Sequence, residues 1–110
     1  MDVSKALESF SALSQDTRLA VFRLLVKAGT SGMAAGEIAA KLDVRQNTMS
    51  ANLAVLARSG LISSRREGRV IRYFADMDAV KQLLAFMLED CCGGSPERCQ
   101  PVIDEISLPC

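Results

Sequence analysis

The spacing of apolar residues predicts four helices in the first half of the chain. In each segment apolar side chains recur every three or four residues, the period of one helical face. The predicted helices cover residues 3–12, 15–28, 36–42 and 46–58. Ser14 is predicted to cap the second helix, with Asp16 in its first turn, and Gly29 to end it. Asp43 lies where a tight turn requires a left-handed residue, a conformation that aspartate tolerates.

The pattern then changes to two short runs rich in β-branched and aromatic residues. Residues 61–66 and 69–74 flank Glu67-Gly68, which predicts a β-hairpin. A last helix is predicted over residues 77–90, ended by Gly93-Gly94. The remaining tail contains all three prolines and little periodicity, so we expect it to be irregular.

Two short helices, a tight turn and a hairpin together predict a winged helix-turn-helix. The expected fold class is therefore mainly α with a β-hairpin wing. In this arrangement the second helix of the pair enters the major groove of DNA. We predict a winged-helix domain for DNA binding and dimerisation over residues 1–92, followed by an irregular tail over residues 93–110 that completes a thiolate site.

The distribution of charge favours DNA contact although the whole chain is neutral. Residues 45–75 carry six arginines against Glu67 alone, a net charge of +5. Residues 76–110 carry seven acids against two bases, a net charge of −5. Since phosphate affinity depends on the local density of cations, the basic middle third can bind DNA. A solvated arginine face is the alternative for the arginines taken by themselves.

The candidate DNA contacts come from the predicted recognition helix and wing. Amide and hydroxyl side chains suit the edges of bases, and arginines on a wing suit phosphates or the minor groove. The predicted outward face of the helix contains Gln46, Asn47, Ser50, Ala51 and Asn52, and the predicted wing contacts are Arg65, Arg66 and Arg69. A structural role is the alternative for Arg72. An ordinary polar surface helix is the alternative for the recognition helix, but the turn before it and the basic hairpin after it favour DNA.

Several classes of protein are excluded by composition. No apolar run approaches the ~20 residues of a membrane span. The first residues lack the basic start and apolar stretch of a signal peptide, so we expect a cytoplasmic protein with no membrane partner. The chain has no histidine and no glycine-rich phosphate loop after a strand, so we do not expect an enzyme.

Three cysteines near the end of the chain, Cys91, Cys92 and Cys99, form the candidate inducer site. Gly93-Gly94 lets the chain fold back, so that Cys99 can meet the other two. Three thiolates suit a soft three-coordinate ion such as As(III), whereas zinc prefers four ligands. Simple burial and a disulfide redox switch between Cys99 and one of the pair are the alternatives for these cysteines. For the whole protein, the alternatives are a regulator that responds to redox change or to another soft metal, and a winged-helix module that contacts protein rather than DNA. We expect Cys110 to be incidental.

A set of segments, in order, resembles the ArsR/SmtB family of metal-responsive repressors. The segments are residues 13–19, 47–56, 60–62, 66–69 and 72–73, and the resemblance spans about residues 5–90. It implies a homodimeric winged helix that represses its own operon and leaves double-stranded operator DNA when an inducer binds. The apolar first and last helices are expected to form the dimer interface. The two recognition helices would then lie ~34–36 Å apart on an imperfect inverted repeat.

The chain departs from the family at its two common inducer sites. Residues 37–42 lack the Cys-x-Cys pair of one type of arsenic sensor, and the histidine ligands of zinc sensors are absent. Asn52 stands where the family often has a histidine, and Asp16 where many members have proline. The C-terminal cluster instead resembles an arsenic-responsive subgroup with an adjacent cysteine pair and a third cysteine. This resemblance implies that the inducer is As(III), with Sb(III) as a second candidate. It also implies that no cofactor is required.

Overall fold

The computed structural model describes residues 1–88 and 96–106. Within these ranges the chain forms six α-helices and one three-stranded antiparallel sheet. The helices are α1 (Val3–Leu13), α2 (Asp16–Ala28), α3 (Ala35–Leu42), α4 (Gln46–Arg58), α5 (Met77–Leu88) and α6 (Pro96–Ile106), and the strands are β1 (Met33–Ala34), β2 (Ile62–Glu67) and β3 (Val70–Ala75). The predicted fold class, mainly α with a β-hairpin wing, is confirmed.

The junction between α1 and α2 differs from the prediction by one residue. Gln15, rather than Ser14, caps α2, because its side-chain oxygen accepts a hydrogen bond from the Arg18 backbone N–H at 2.8 Å. The Ser14 N–H donates to the Ser11 carbonyl at 3.2 Å, so Ser14 ends α1. Gly29 ends α2 as predicted, with a φ of 62° that favours glycine.

The turn between α3 and α4 contains the predicted left-handed residue. Asp43 has φ 54° and ψ 51°, and it is the only non-glycine residue with positive φ in the described part of the chain. An aspartate tolerates this region better than most side chains do. The turn ends α3 and allows α4 to begin at Gln46 and pack against α3. The two helices therefore form the predicted helix-turn-helix.

Strands β2 and β3 form the wing. Glu67 pairs with Val70 at its tip, so the connecting residues are Gly68 and Arg69, one position later than predicted. Gly68 has a φ of 66°, which a two-residue hairpin loop requires of its first residue. The short strand β1 pairs with the other edge of β3, and the sheet order is β1-β3-β2. The wing is thereby tied to the segment between α2 and α3.

The hydrophobic core lies between the helices and the base of the wing. Helices α2, α3 and α4 supply six side chains that are almost inaccessible to solvent: Val21, Leu25, Ile38, Met49, Leu53 and Leu56. Burying one side chain of this size stabilises the fold by about 1.5–3 kcal/mol. Leu61 and Ile62 extend the core into the first strand of the wing. One face of α4 is therefore fixed inward.

The predicted irregular tail is wrong over residues 96–106, which form helix α6. Pro96 occupies the first helical position, where its missing N–H has no intrahelical partner in any case. Pro101 lies inside the helix and removes one backbone bond. The apolar residues of this segment recur at helical spacing: Cys99, Val102, Ile103 and Ile106. The predicted end of α5 near residue 90 and the Gly93-Gly94 break lie outside the described residues.

Two glycines with similar backbone angles provide a test of the packing between the wing and the core. Gly32 and Gly29 both have positive φ, 61° and 62°. A Cβ at Gly32 would lie 2.5 Å from the Tyr73 carbonyl oxygen and 2.6 Å from the Phe74 ring, whereas nothing lies within 4 Å of a Cβ at Gly29. Gly29→Ala should therefore show only the backbone strain, about 1–3 kcal/mol.

Gly32→Ala should be destabilised by that amount and by a further ~1–3 kcal/mol of overpacking. Urea unfolding of the two variants measures the difference directly. Equal destabilisation of the two variants would show that β1 does not approach β3 as closely as the structure has it.

Candidate nucleic-acid interface and thiol site

The exposed face of α4 carries four of the five recognition residues predicted. Gln46, Asn47, Ser50 and Ala51 are all exposed to solvent, and they lie in the N-terminal half of the helix. Met49, Leu53 and Leu56 are buried on the core side of the helix, whereas these four side chains remain accessible to solvent. Base reading by a recognition helix uses this half of the helix. The outward placement predicted for these four residues is confirmed, and their contact with DNA stays a prediction.

Asn52, the fifth predicted residue, does not lie on the outward face. Its side chain is only 8% exposed, and its Oδ1 accepts a hydrogen bond from Arg18 Nη1 at 3.3 Å. An amide held in this way is turned toward α2. The outward placement of Asn52 is therefore wrong, because the helical repeat carries this position round to the side of Met49 and Leu56. We leave it out of the proposed DNA contacts.

The arginines of the wing differ in how far their charge is already neutralised. Arg65 forms an ion pair with Glu67 at 2.9 Å, and its guanidinium carbon lies 5.0 Å from the centre of the Phe74 ring. Arg66 donates from Nε to the Gly68 carbonyl at 3.1 Å and pairs with no carboxylate among the described residues. Arg69 has neither a hydrogen bond nor an ion pair within the same ranges. Arg66 and Arg69 therefore present the unneutralised positive charge of the wing tip.

Glu67 is the acidic residue whose ion pairs neutralise some of these arginines and not others. Its carboxylate accepts from Arg72 Nε at 3.1 Å as well as from Arg65. These hydrogen bonds, Arg72 first and Arg65 second, lower the pKa of Glu67 below its ordinary value. A carboxylate that stays ionised in this position offsets part of the arginine charge. Of the predicted wing contacts, Arg65 should thus contribute least to phosphate binding.

Arg72 has the structural role that the sequence left open. It is held by Glu67, by the Ser31 and Gly32 carbonyls at 3.1 and 3.3 Å, and by Glu37 at 3.7 Å. These partners lie in the wing, in the segment before β1 and in α3. The side chain therefore ties the wing to the helix-turn-helix, and little of its charge is free for DNA.

Two residues that the sequence argument did not select also lie at this surface. Arg45 is the N-cap of α4, is exposed and makes no side-chain hydrogen bond there. Thr48 is exposed between Asn47 and Ser50 on the same helix. A cation at the N-terminus of a helix is well placed for a phosphate, which the helix dipole also attracts. In the sequence, Arg45 could have been selected from its position directly before the first residue of the predicted helix.

The predicted thiol site is only partly within the described residues. Cys91, Cys92 and Cys110 lie outside them. Cys99 lies in the first half of α6, is 8% exposed and is disulfide-bonded in the structure. Among the described residues no group of three or more His, Cys, Asp or Glu side chains could hold a metal ion. The structure thus shows a buried Cys99 sulfur bonded to a second sulfur, and the three-cysteine arrangement stays a prediction.

Sequence comparison places the chain among bacterial and archaeal regulators. A helix-turn-helix domain family matches residues 13–65. The uncharacterized HTH-type transcriptional regulator YbzH of Bacillus subtilis is 31% identical over 74% of this chain and 93% of its own length. The regulator MJ1325 of Methanocaldococcus jannaschii is 33% identical over 77% of this chain and 93% of its own.

Comparison with solved structures also finds transcriptional regulators. An ArsR-like transcriptional regulator from Rhodococcus sp. RHA1 superposes with a TM-score of 0.69 at 29% identity, covering 94% of this chain and 93% of the other. The homodimeric winged helix-turn-helix domain of Mb0332 from Mycobacterium bovis gives 0.66 at 27% identity, covering 77% of each chain. The chain therefore belongs to the HTH-type transcriptional regulators, as YbzH and MJ1325 do, and its fold is that of the ArsR-like winged helix-turn-helix regulators. Its relatives are regulators rather than enzymes, in agreement with the sequence prediction.

The relatives include a transcriptional activator, and one of its solved structures is described by its redox state. Vibrio cholerae HlyU, a transcriptional activator, is 26% identical over 76% of this chain and 75% of its own length. The structure of reduced HlyU superposes with a TM-score of 0.62 at 25% identity, over 77% of this chain and 88% of that one. Family membership alone therefore does not decide between activation and repression.

In the part of the chain that the structure describes, no helix has the length and apolarity to cross a bilayer.

Removing the free charges of the wing should weaken binding to DNA of any sequence. We expect the Arg66→Ala, Arg69→Ala double variant to lower the slope of log affinity against log salt by about one for each phosphate that is no longer neutralised. Fluorescence anisotropy with one duplex at several salt concentrations measures this slope. Lys27→Ala, which removes an exposed cation from α2, is the matched control and should leave the slope unchanged. An unchanged slope in the double variant would remove the wing tip from the interface.

Proposed function

We propose that this protein is a homodimeric repressor that binds an operator through α4 and the wing and is released by arsenite. The observation that carries the DNA-binding part is the exposed polar half of α4 beside the uncompensated charges of Arg66 and Arg69. Amide side chains such as Gln46 and Asn47 can read adenine with two hydrogen bonds, each such pair being worth about 1–3 kcal/mol of discrimination. The wing arginines supply affinity that does not depend on sequence.

The proposed dimer interface consists of α1 and α5. Each presents large apolar side chains that stay exposed in the single chain: Val3, Leu7, Phe10, Met77, Met87 and Leu88. Apolar surface of this kind on two neighbouring helices is typical of a contact between subunits. The Mycobacterium bovis neighbour, which has the same fold, is described as homodimeric. A two-fold dimer would place its recognition helices for an imperfect inverted repeat.

The proposed inducer site consists of Cys91, Cys92 and Cys99. Arsenous acid, As(OH)₃, reacts with three thiols to form three As–S bonds and releases three water molecules. The product is neutral, so it can remain at a position shielded from water such as that of the buried Cys99. Sb(III) would react in the same way. Support for the site comes from the sequence, in which Cys99 follows the adjacent pair closely, and from the burial of Cys99 on α6.

A thiol redox regulator on the same fold is the second candidate, and the disulfide bond at Cys99 favours it directly. An oxidant such as peroxide would take two electrons from two thiolates, which would then form one disulfide. This mechanism requires two cysteines, whereas arsenite requires three. Other soft ions, among them Cd(II), Pb(II) and Zn(II), form a further alternative. The number of cysteines needed, and the inducer that acts, therefore separate the candidates.

The deciding experiment is a titration of the reduced dimer, bound to fluorescent operator DNA, with arsenite. We expect one equivalent per subunit to produce sulfur–arsenic absorption and to lower DNA affinity by roughly 5–150-fold, the usual range of coupling between two sites. Cys91→Ser, Cys92→Ser and Cys99→Ser should each abolish release but keep DNA binding. Cys110→Ser is the matched control and should respond as the parent does.

Peroxide provides the opposing arm of the same experiment. If peroxide releases the DNA, arsenite does not, and one of the three serine variants still responds, the redox mechanism is correct. Release by arsenite that persists in Cys99→Ser would rule out the three-thiolate site.

A further inference from the structure

The Arg18 side chain joins three helices at one point. Its Nε donates to the Ala12 carbonyl and its Nη2 to the Ser11 carbonyl, the latter at 3.4 Å, both in the last turn of α1. Its Nη1 donates to Asn52 Oδ1, 3.3 Å away, in the middle of α4. Arg18 itself belongs to α2. One guanidinium therefore connects the end of α1 with the recognition helix.

The charge of Arg18 is stabilised by dipoles rather than by an opposite charge. No carboxylate pairs with it in the parts of the chain that are described. Carbonyls in the last turn of a helix have few intrahelical partners, and the helix dipole favours a cation there. At the other end, the Asn52 amide is nearly buried and needs a donor for its oxygen. The fork of N–H groups on arginine meets both requirements at once, which a lysine ammonium cannot do in the same geometry.

This polar contact differs in kind from the packing around it. Apolar contacts between α4 and the other helices are non-directional, so they tolerate small rotations and slides of the helix. Hydrogen bonds weaken steeply when their angles or lengths change. The contact between Arg18 and Asn52 is thus suited to fix both the rotation of α4 about its axis and its position along that axis, relative to α1.

We propose that Arg18, acting through Asn52, is a positioning residue that sets the spacing between the two recognition helices of the dimer. The inference rests on the proposed function, in which α1 contributes to the dimer interface and α4 reads DNA. If α1 is fixed against the partner subunit and α4 is fixed to α1, the distance between the two α4 helices is fixed as well. Loosening this contact should leave each half-site interaction intact but make the dimer indifferent to half-site spacing.

The test measures spacing discrimination rather than affinity alone. An inverted repeat is first selected in vitro with the parent dimer. A second duplex carries one additional base pair between the half-sites, which moves them apart by about 3.4 Å. The ratio of the two affinities is determined for the parent, for Arg18→Gln and for Asn52→Leu. We expect the ratio to fall by about fivefold or more in both variants, the lower end of typical coupling between sites.

Matched variants separate positioning from general damage. Arg23→Gln removes an equal charge from an exposed position on α2 and should keep the parent ratio. Asn52→Asp keeps an acceptor oxygen opposite Arg18 and should keep it too. A loss of folded protein lowers the active concentration for both duplexes equally, so it does not change the ratio. If Arg18→Gln does not fold, Asn52→Leu carries the test by itself.

The outcomes distinguish this inference from the proposed function. If the parent selects no inverted repeat or binds no DNA, the proposed function fails. If the parent discriminates between the two spacings and Arg18→Gln and Asn52→Leu do so equally well, the positioning role is overturned. Equal reductions in both single variants, with no further reduction when they are combined, would show that the two side chains act through one contact.

Discussion

Burial of one face of α4 is the constraint on which the rest of the interface depends. Met49, Leu53 and Leu56 are sealed against α2 and α3, and rotating the helix would expose all three to water. At about 1.5–3 kcal/mol for each side chain, a rotation large enough to expose them is too costly to occur in the folded state, although small adjustments of the helix are not excluded by apolar packing. Hydrophobic packing inside the domain thus determines which polar side chains the helix offers to DNA.

The wing is organised by charge, in contrast to the helix. Glu67 holds Arg65 and Arg72, and Arg72 in turn reaches the segment before β1. Two arginines are therefore used to fix the hairpin, and two, Arg66 and Arg69, project their charge. A count of arginines in the sequence treats all of them alike. Only their partners show which of them can approach phosphate without first breaking an ion pair.

Most of the fold could be predicted because its local signals agree with its packing. The bounds of α4 and the left-handed Asp43 follow from apolar spacing and turn chemistry, and both are confirmed. Helix α6 was not predicted, because the three prolines in the tail indicated an irregular segment in spite of the apolar repeat. One of them, Pro96, occupies the first helical position, where proline does not disturb a helix. The Asn52 position was missed for a different reason. The residues near Asn52 in the sequence do not indicate that its hydrogen-bond partner, Arg18, lies 34 residues away on another helix.

The proposed thiol site and the proposed DNA-reading surface lie in different parts of the chain, so the proposed regulation requires a connection between them. Cys99 lies on α6, near the end of the chain, and the recognition helix lies in its middle. A small change in the arrangement of the subunits is sufficient for this, because a dimer on an inverted repeat depends on the spacing of its two recognition helices. In this account the dimer interface carries the signal and each DNA-binding unit stays rigid.

In the proposed complex, two α4 helices of one dimer read adjacent major grooves while the wings lie on the flanking backbone. Hydroxyl-radical footprinting of the parent protein, combined with interference by methylation of guanine N7 in the major groove, is the decisive measurement. We expect two interference segments in the major groove, centred about 10–10.5 base pairs apart, with backbone protection on their outer sides. A single segment, or backbone protection without interference in the major groove, would contradict this arrangement.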